Sequence, residues 1–392
     1  MRLSTDDLGF FFDPRHAALA GRLAEAARAL EGEHDAPAVA RAMGERLGLY
    51  ALLVPEALGG EASERPDDAA YVDVRSLCLA REALGYCNPL ADAVFAVQGL
   101  GSYPIVLAGS PEQRRRLLPD VVRGERIGAF ALTEPEAGSD VASLRSFARP
   151  EGDGSFVLEG EKTFISNVGL ADHYVVFASV DPSAGRRGIT AFLVERGAPG
   201  LVEEPIVLSA DHPVGRLRFE GCRLGPGALV GERGGGFALA MRTLDTFRVS
   251  VGAAAAGMAR RALDEALSHV RGRVQFGKPL AEQPLVQAML ADMATELDAA
   301  RLLVFRAAHA KDRAEPGARL TTEPAMAKLY ATEAAARIVD AAVQLHGGAG
   351  VVAGRTVERL AREVRPLRIY EGTSEIQRLI IGGALARGGP GR

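Results

Sequence analysis

The sequence contains little lysine and has no excess of basic charge. Only four residues are lysine, among 46 basic residues against 50 acidic ones, and the formal net charge is −4. Because the arginines are interleaved with acids, the chain lacks the basic field that binding to nucleic acid requires. The preference for arginine over lysine is typical of GC-rich bacterial genomes. We therefore expect a bacterial protein that does not bind nucleic acid.

Cysteine and tryptophan are also scarce. The sequence has no tryptophan, and its three cysteines, Cys78, Cys87 and Cys222, are odd in number and widely spaced. They form no ligand pattern, so neither a metal site nor a disulfide framework is predicted. Unpaired thiols of this kind are typical of a reducing compartment, which favours the cytosol.

Long hydrophobic runs are missing as well. No apolar run approaches the length that a membrane span needs. The N-terminal residues MRLSTDDLGFFFDP carry early acids instead of the composition of a signal or transit peptide. We expect a cytoplasmic protein that makes no membrane contact.

What the sequence does contain is 47% hydrophobic residues over 392 positions, enough for globular cores in two to three domains. Its texture changes twice. Residues 1–124 show helical periodicity, 125–232 consist of short apolar or alternating runs, and 233–392 are helical again. This order predicts an α+β protein with an N-terminal helical domain, a small, mainly antiparallel β domain and a C-terminal helical domain.

Individual segments carry these patterns. Helices are predicted at HAALAGRLAEAARALEGE and PEQRRRLLPDVVRG, and strands at IGAFALTEP, SFVLEGEKTFIS, HYVVFASV, ITAFLVE and GRLRFEGCRL. In the last third, one helix face comprises Leu285, Met289, Leu290, Met293 and Leu297. Another helix, PAMAKLYATEAAARIVDAAVQLH, is predicted to stop at Gly347-Gly348. Beyond about residue 235 we expect four or five long helices.

Two stretches of the β part contain residues suited to a ligand. ALTEPEAGSD places Thr133, Ser139 and exposed backbone amides at the end of a strand, where they can bind a planar heterocycle or a phosphate. EKTFISN places Phe164 and Ser166 on one face of a strand, which suits the wall of a ring system. Taken alone, the first stretch fits a turn between strands better than a ligand site, and the second fits core packing better.

A third stretch, RIYEGTSEIQRLII, places a glutamate beside the start of a helix. Ser374 and Gln377 have the spacing of a capping box, so a helix is predicted to begin near Thr373 or Ser374. Its apolar stripe consists of Ile376, Leu379 and Ile380. Glu371 lies just outside this helix and before Gly372, where the missing side chain lets another molecule approach the backbone. This is a suitable position for a catalytic base.

Five motifs give the sequence a wider resemblance. TEPEAGSD, EKTFISN, RVQFG, QLHGGAG and IYEGTSEIQ occur in an order and spacing that resemble those of the flavin-dependent acyl-CoA dehydrogenases, over essentially the whole chain. The resemblance implies a helical N-terminal domain, a β-barrel middle domain and a C-terminal four-helix bundle, with FAD between the barrel and the bundle. It also implies a homotetramer built as a dimer of dimers.

The resemblance also implies roles for individual residues. Within one subunit, the implied FAD contacts are Phe130, Leu132, Thr133, Ser139, Phe164, Ser166, Thr373 and Glu375. From the neighbouring subunit, the implied FAD contacts are Arg273, Gln275, Phe276, Gln344, Gly347 and Gly348. The implied acyl-CoA contacts are Ser139, Asp245, Arg248 and Gly372. Asp245 and Arg248 equally fit an intrahelical ion pair, because they are spaced i, i+3.

Glu371 has the central role in the implied chemistry. It takes the pro-R α-proton of the acyl-CoA thioester while the β-hydrogen leaves as hydride to flavin N5, which gives a trans-2-enoyl-CoA. A carboxylate held between apolar walls has raised basicity. In relatives with a second arrangement the base directly precedes a helical arginine, but here Phe247 precedes Arg248, so Glu371 is the sole candidate. We expect His346 to pack at a helix end, and the implied electron acceptor is an electron-transferring flavoprotein.

Departures from the family pattern concern the flavin wall and the substrate. Phe164 replaces a common tryptophan, and Pro284 falls where glutamine is common. Residues 206–217, IVLSADHPVGRL, lack a longer Lys-Gly-Arg-Ser segment that usually shapes part of the substrate side. Residues 88–105, expected near the acyl tail, contain no lysine or arginine. This favours apolar acyl chains or rings over an anionic acyl group.

Three alternatives stay open. The same fold can act on an acyl group tethered to a carrier protein or work as an enoyl reductase, and the unusual residues 206–217 motivate this alternative. A flavin-binding subunit without turnover is the second, against which the intact Glu371 argues. The third is a helical scaffold without a cofactor, which requires all five motifs to be coincidental.

Overall fold

A computed structural model describes residues 5–315, 318 and 320–388 of the chain. The chain forms two compact units, each built from more than one segment. The helical unit comprises Met1–Gly32, Val74–Asp92 and Arg248–Arg392, and the sheet unit comprises Glu33–Asp73 and Ala93–Phe247. The predicted domain limits at residues 1 and 392 lie outside the described residues, and the other predicted boundaries stay predictions.

Within the described ranges the chain forms ten α-helices. They span Pro14–Arg28 (α1), Ala36–Arg41 (α2), Val74–Cys87 (α3), Pro89–Ala108 (α4), Pro111–Arg123 (α5), Gly236–Gly272 (α6), Pro284–Arg313 (α7), Thr322–His346 (α8), Thr356–Leu367 (α9) and Ser374–Ala386 (α10). The two helices predicted in the first 124 residues are confirmed as α1 and α5, and the five helices α6 to α10 confirm the number expected beyond residue 235. Their arrangement as a four-helix bundle stays a prediction.

The ends of α5 illustrate why these helices begin and stop where they do. Ser110 accepts a hydrogen bond from Gln113 N at 3.1 Å, and the Gln113 side chain accepts one from Ser110 N at 2.9 Å. This reciprocal capping box satisfies two amides at the helix start. Gly124 follows the last turn with a φ of 75°, a left-handed conformation that ends the helix at little cost for glycine.

Eight strands of the sheet unit form one sheet, and two short strands of the helical unit form a hairpin. They span Gly128–Ala131 (β1), Phe147–Pro150 (β2), Phe156–Ser166 (β3), His173–Ser179 (β4), Ile189–Glu195 (β5), Leu201–Pro205 (β6), Val214–Leu224 (β7), Leu229–Val230 (β8), Val274–Gln275 (β9) and Lys278–Pro279 (β10). The order is β6-β7-β3-β2-β4-β5-β8, and β1 pairs with β4.

The pairing within the large sheet is mainly antiparallel, as expected. Only β1 with β4 and β2 with β4 run parallel. All five strands predicted from sequence are present, whereas β2, β6 and β8 were not predicted because they are short or polar. Closure of the sheet into a barrel stays a prediction.

A continuous apolar core supports the sheet. Leu158, Val176, Phe192, Leu217 and Phe219 belong to one buried cluster. The strand β4 is buried in every residue instead of alternating, which is the pattern of a strand covered on both faces.

The helix α4 differs from the expectation drawn from hydrophobic runs. Its 20 residues, Pro89–Ala108, have a mean hydropathy of 1.4 in their most apolar stretch. By length and composition alone, α4 could cross a membrane, and no other described helix could. However, 83% of this most apolar stretch of α4 is buried inside the protein. The expectation that no apolar run reaches spanning length is therefore wrong, and the burial is that of a core helix.

In the helical unit, glycine allows two helices to approach closely. A side chain on Gly85 of α3 would place its Cβ 2.6 Å from the Ala254 carbonyl oxygen, and one on Gly257 of α6 would lie 2.1 Å from the Glu82 oxygen. Such distances exclude a Cβ unless the backbone moves, so α3 and α6 pack backbone to backbone. This contact aligns Arg81 of α3 with Ser250 of α6, whose side chains are 3.1 Å apart.

The predicted apolar face of α7 is only partly buried. Met293 and Leu297 lie in the core, whereas Leu285 is 82% exposed. The N-terminal end of this predicted face therefore lies on the surface of the chain.

Candidate active site

Glu371 lies in the short connection between α9 and α10, in an unusual backbone conformation. Its φ is 51° and that of Gly372 is 89°. Left-handed φ is uncommon for a residue with a side chain and is found mainly where function or tight packing requires it. At Gly372 a Cβ would lie 2.6 Å from Gln377 Nε2. That atom ends a flexible side chain and can move aside, so it is the left-handed φ of 89° that favours glycine here.

The start of α10 differs in detail from the predicted capping box. Thr373 is the N-cap, and its Oγ1 accepts a hydrogen bond from Ile376 N at 3.3 Å. Ser374 instead donates to Glu333 Oε1 at 2.6 Å. The Gln377 side chain donates to Gly372 O at 2.9 Å. The predicted helix start is confirmed, but the Ser374–Gln377 capping box is wrong, because the chain first leaves the extended conformation after Thr373.

The Glu371 carboxyl group is buried and incompletely paired. Its Oε2 has no solvent contact and no hydrogen-bond partner among the described residues. Burial raises the pKa of Glu371, while the positive charges of Arg81, Lys328 and Arg248 act to lower it and Asp92 acts to raise it. The net direction is upward, so the predicted raised basicity is confirmed. Its surroundings are charged as well as apolar, which the sequence alone did not indicate.

Lys328, on α8, is one of the residues that sequence reasoning missed. It is fully buried, and its Nζ donates to Gly372 O at 2.8 Å. Burial lowers the pKa of Lys328 to about 8, although the Glu371 carboxylate acts in the opposite direction. A lysine within an alanine-rich helical run was the only signal in the sequence.

Arg81 was also missed. Its Nε and Nη2 donate to the two carboxylate oxygens of Asp92, each at 2.8 Å, and its Nη1 donates to Ser250 Oγ. Burial acts to lower the pKa of Arg81, but the Asp92 charge and hydrogen bonds outweigh it and raise that pKa. A bidentate pair of this kind is geometrically specific. It fixes the Arg81 guanidinium and the Asp92 carboxylate, which form a charged wall beside Glu371.

In the sheet unit, the structure brings the two predicted ligand stretches together. Thr163 N donates to Thr133 O at 2.9 Å, which joins β3 to the loop after β1. The buried Lys162 donates to Leu132 O at 3.1 Å and to Glu134 Oε1 at 2.7 Å. Burial lowers the pKa of Lys162 to about 8, against the opposing effect of Glu134. The loop after β1 is therefore fixed by hydrogen bonds from Lys162 and Thr163 of β3.

Phe164 is presented outward from this support. A register shift separates Lys162 from Ile165 in the pairing of β3 with β7, and Phe164 has a φ of 55° and is 63% exposed. Core packing is therefore not its role, whereas the reading as a wall for a ring system stays open. Of the other predicted residues here, Leu132 is buried, Ser139 is exposed, and Phe130, Thr133 and Ser166 are half-buried.

The residues that the resemblance assigned to a neighbouring subunit lie on the surface of the helical unit. Arg273, Gln275 and Phe276 are exposed around the β9–β10 hairpin, with Phe276 95% exposed at a φ of 53°. Gln344, Gly347 and Gly348 are exposed where α8 ends. Thr373 and Glu375, at the start of α10, are half-buried and exposed respectively.

Three further predicted residues lie on α6 or at the end of α8. Asp245 is half-buried in the sheet unit, and Arg248 is buried in the helical unit close enough to Glu371 to affect its pKa. The substrate and ion-pair alternatives for Asp245 and Arg248 both stay predictions. His346 bonds Ala342 O through Nδ1 at 2.7 Å and stacks on His269. Its predicted role as a packed residue at a helix end is confirmed.

Each unit therefore offers a donor set that fits a flavin nucleotide. The sheet unit presents an exposed aromatic face, Phe164, beside the hydroxyl groups of Thr133 and Ser166, which suits a planar heterocycle with polar edges. The helical unit presents the exposed Arg273 side chain and the exposed glycines Gly347–Gly348, a guanidinium and an accessible backbone that suit phosphate.

Three family descriptions match the chain in succession. "Acyl-CoA dehydrogenase, N-terminal domain" matches residues 12–125, the middle domain matches 129–222, and the C-terminal domain matches 234–386.

Individual relatives agree with these matches. The chain is 38% identical to an acyl-CoA dehydrogenase of Bacillus subtilis, over 92% of both chains. It is 42% identical to the mitochondrial short-chain specific acyl-CoA dehydrogenase of Mus musculus, over 91% of this chain and 85% of the relative. A 3-(aryl)acrylate reductase of Clostridium sporogenes is 37% identical, over 87% of this chain and 88% of the relative.

Solved structures share the fold. Butyryl-CoA dehydrogenase of Megasphaera elsdenii has a TM-score of 0.85 at 35% identity, covering 94% of this chain and 98% of the other. An acyl-CoA dehydrogenase of Bacillus anthracis complexed with FAD has a TM-score of 0.85 at 30% identity, covering 96% and 67%. A prolyl acyl carrier protein oxidase has a TM-score of 0.86 at 28% identity, covering 95% and 99%.

Proposed function

Given that this chain belongs to the acyl-CoA dehydrogenase family and is an FAD-dependent oxidoreductase acting on acyl-CoA, we propose that Glu371 is the base of an α,β-dehydrogenation. The product would be a trans-2-enoyl-CoA. The observation that carries the proposal is the buried Oε2 of Glu371, which has no hydrogen-bond partner among the described residues. A carboxylate oxygen left unpaired in this way is available to accept a proton from a bound substrate.

The chemistry explains why such a base needs special surroundings. The α-hydrogen of a thioester is a poor acid, so its removal requires a base held close and in its ionised form. Burial makes Glu371 more basic, and the positive charges of Arg81, Lys328 and Arg248 limit this rise. Bound FAD supplies the oxidising power by taking the two electrons that leave the substrate.

The residues proposed to hold FAD are those with the fitting donor sets. In the sheet unit Phe164 would cover the ring system, Thr133 and Ser166 would bind its polar edge together with the backbone of Phe130 and Leu132, and Ser139 would bind phosphate. In the helical unit, the remaining proposed contacts are Arg273, Gln275, Phe276, Gln344, Gly347, Gly348, Thr373 and Glu375. The outward position of the hairpin and of the α8 end supports contact with a second copy of the chain, in a proposed homotetramer.

We propose an uncharged, apolar acyl group as substrate, with Asp245, Arg248 and Gly372 near the CoA or acyl portion. Arg81 on α3 brings a cation to Asp92, which lies within residues 88–105, but its guanidinium is hydrogen-bonded to Asp92 and Ser250. Its charge is therefore compensated internally, and it is not available to pair with an acyl carboxylate. An electron-transferring flavoprotein is the proposed acceptor.

Replacing Glu371 by Gln tests the proposal. We expect Glu371→Gln to retain FAD and to lose bleaching of the oxidised flavin band when it is titrated anaerobically with straight-chain, branched and alicyclic acyl-CoA thioesters. Gln keeps the shape of the side chain but cannot accept the proton. Glu296→Gln is the matched control, because Glu296 pairs with Arg337 at the surface. Substantial flavin reduction in Glu371→Gln would contradict the assignment of the base.

A second candidate keeps the same site but changes the substrate carrier or the direction. It is favoured by the similarity to the 3-(aryl)acrylate reductase and the prolyl acyl carrier protein oxidase, and by the unusual residues 206–217. Titrating the wild-type protein with one acyl group presented on CoA and on a carrier protein distinguishes the carriers. Oxidation of the reduced protein by an enoyl thioester, without bleaching by the saturated thioester, would favour the reductase.

A further inference from the structure

Lys328 has a contact that ordinary core packing does not require. Its Nζ and Gln377 Nε2 donate to the same backbone oxygen, Gly372 O, at 2.8 and 2.9 Å. The Lys328 backbone is fixed in turn, because Thr332 Oγ1 donates to its carbonyl at 2.9 Å. Burying an ammonium group is costly unless charges and hydrogen bonds compensate it. Two donors directed at one carbonyl therefore indicate that the position of this peptide matters.

The peptide that they hold is Gly372–Thr373, which lies one residue beyond Glu371. Glu371 adopts a φ of 51°, a strained conformation for a non-glycine residue that persists only when neighbouring contacts enforce it. Glu333 supplies a second restraint, since it accepts from Ser374 Oγ at 2.6 Å and pairs with Arg368 at 2.8 Å. The segment between Arg368 and Ser374 is thus bonded to α8 at both ends through Glu333, and near its middle through Lys328.

The charges around Glu371 come from four other elements. Arg81 faces it from α3, Asp92 from α4, Arg248 from α6 and Lys328 from α8. Lys328 is influenced in addition by Glu333 and Glu375. Lys328 combines a charge that acts on the Glu371 carboxyl with a hydrogen bond to Gly372 O, in the backbone beside it.

We propose that Lys328 is a positioning residue for the reaction: it fixes the Gly372–Thr373 peptide beside Glu371 through Gly372 O and stabilises the ionised form of the Glu371 carboxyl. The inference rests on the proposed function of Glu371 as base. It assigns to Lys328 no contact with substrate or cofactor. The residue acts entirely through Glu371.

Lys328→Met and Lys328→Arg separate this role from simple packing. Losing the cation raises the pKa of Glu371. When kcat is measured as a function of pH, the acid limb of this pH profile should therefore move to higher pH in Lys328→Met. The loosened peptide should also lower kcat, by on the order of 10- to 100-fold, with little change in KM or FAD content. Lys328→Arg keeps the charge and a donor, so it should restore the position of the acid limb.

Arg337→Met is the matched control, because Arg337 lies further along α8 and pairs only at the surface with Glu296 at 2.8 Å. We expect its kcat profile to match that of the wild type. A kcat profile of Lys328→Met with an unmoved acid limb would overturn the proposal, even if kcat fell. If the wild-type protein bleaches with no thioester, the proposed function itself has failed, which is a different outcome.

If Lys328→Met does not fold, as judged by circular dichroism and FAD content, Gln377→Leu replaces it. This variant removes the other donor to Gly372 O without changing charge. The proposal then requires a lower kcat at unchanged KM, with the acid limb in place. A wild-type kcat in Gln377→Leu would show that the position of this peptide does not control the reaction and would overturn the proposal.

Discussion

Single residues show how a scarce side chain is used. Two of the four lysines, Lys162 and Lys328, are fully buried, and each donates to a backbone oxygen beside a predicted site residue, Leu132 O and Gly372 O. Lysine suits this task because its compact ammonium needs fewer partners than the five donors of arginine. In an arginine-rich sequence, a lysine at each of these two positions therefore indicates a buried contact with the backbone of a predicted site residue.

A residue-scale prediction concerns His173. Its ring is fully buried on β4, and burial, followed by the Arg126 charge, lowers its pKa to about 4 from 6.5. A base with a depressed folded-state pKa contributes stability above the unfolded pKa, and this is lost as pH falls from about 6.5 to about 4. We expect this loss in the free energy of unfolding to reach on the order of 3 kcal/mol.

Urea unfolding at several pH values measures this loss. His173→Asn does not titrate in this range, so its free energy of unfolding should depend less steeply on pH than that of the wild type. Equal slopes in the two proteins between pH 4 and 6.5 would contradict the predicted role of His173, whatever the absolute stability of the variant.

At the scale of elements, the site depends on how closely helices approach. Arg81 and Ser250 meet because α3 and α6 pack through Gly85 and Gly257. Helix backbones come this close only where small residues remove the side chains between them. The wall beside Glu371 is therefore a consequence of two glycines that lie outside every motif.

An element-scale prediction follows for Gly257. A Cβ there would lie 2.1 Å from the Glu82 oxygen, so Gly257→Ala should separate α3 from α6 and lower the free energy of unfolding by about 1–3 kcal/mol. In ordinary helices the same change stabilises. Gly272→Ala, at the open end of α6 with nothing within 4 Å, is the control. Thermal or urea unfolding that finds Gly257→Ala as stable as the control would rule out the tight contact.

At the scale of the whole molecule, exposed apolar side chains are unevenly distributed. Among the large apolar residues that the structure describes as exposed, all but Phe164 and Val207 lie in the helical unit. They include Leu379 of the predicted α10 stripe, which is 70% exposed. Concentrations of exposed apolar residues mark interaction surfaces. This supports the proposed contact between copies of the chain.

We expect the wild-type protein to be larger than a monomer in solution and Leu379→Glu to shift it to a smaller assembly, because a buried charge at an apolar interface is costly. Light scattering coupled to size exclusion measures the mass. Val207→Glu, at an exposed position of the sheet unit, should leave the mass unchanged. A monomeric wild type, or identical masses for all three proteins, would contradict the proposed assembly.

Most of the fold could be predicted from sequence because local periodicity encodes it. The regions of helices and strands were predicted from the periodicity of their apolar residues. The start of α10 was located to within one residue. Partners within that start could not be assigned, since Thr373 and Ser374 offer similar hydroxyl groups. The Thr373 hydroxyl caps the helix, whereas the Ser374 hydroxyl donates to Glu333, which is distant in the sequence. Short strands such as β2 and β8 depend on their neighbours in the sheet and carry little local signal.

The sequence by itself determined the family, the cofactor and the identity of the candidate base, because these depend on residue types at fixed spacings along the chain. Only the tertiary structure decided the surroundings of that base. Arg81, Asp92, Arg248 and Lys328 come from four separate helices, and their effect on Glu371 depends on distance and burial in space. Such electrostatic and hydrogen-bond contacts act between residues far apart in the chain, so no local pattern records them.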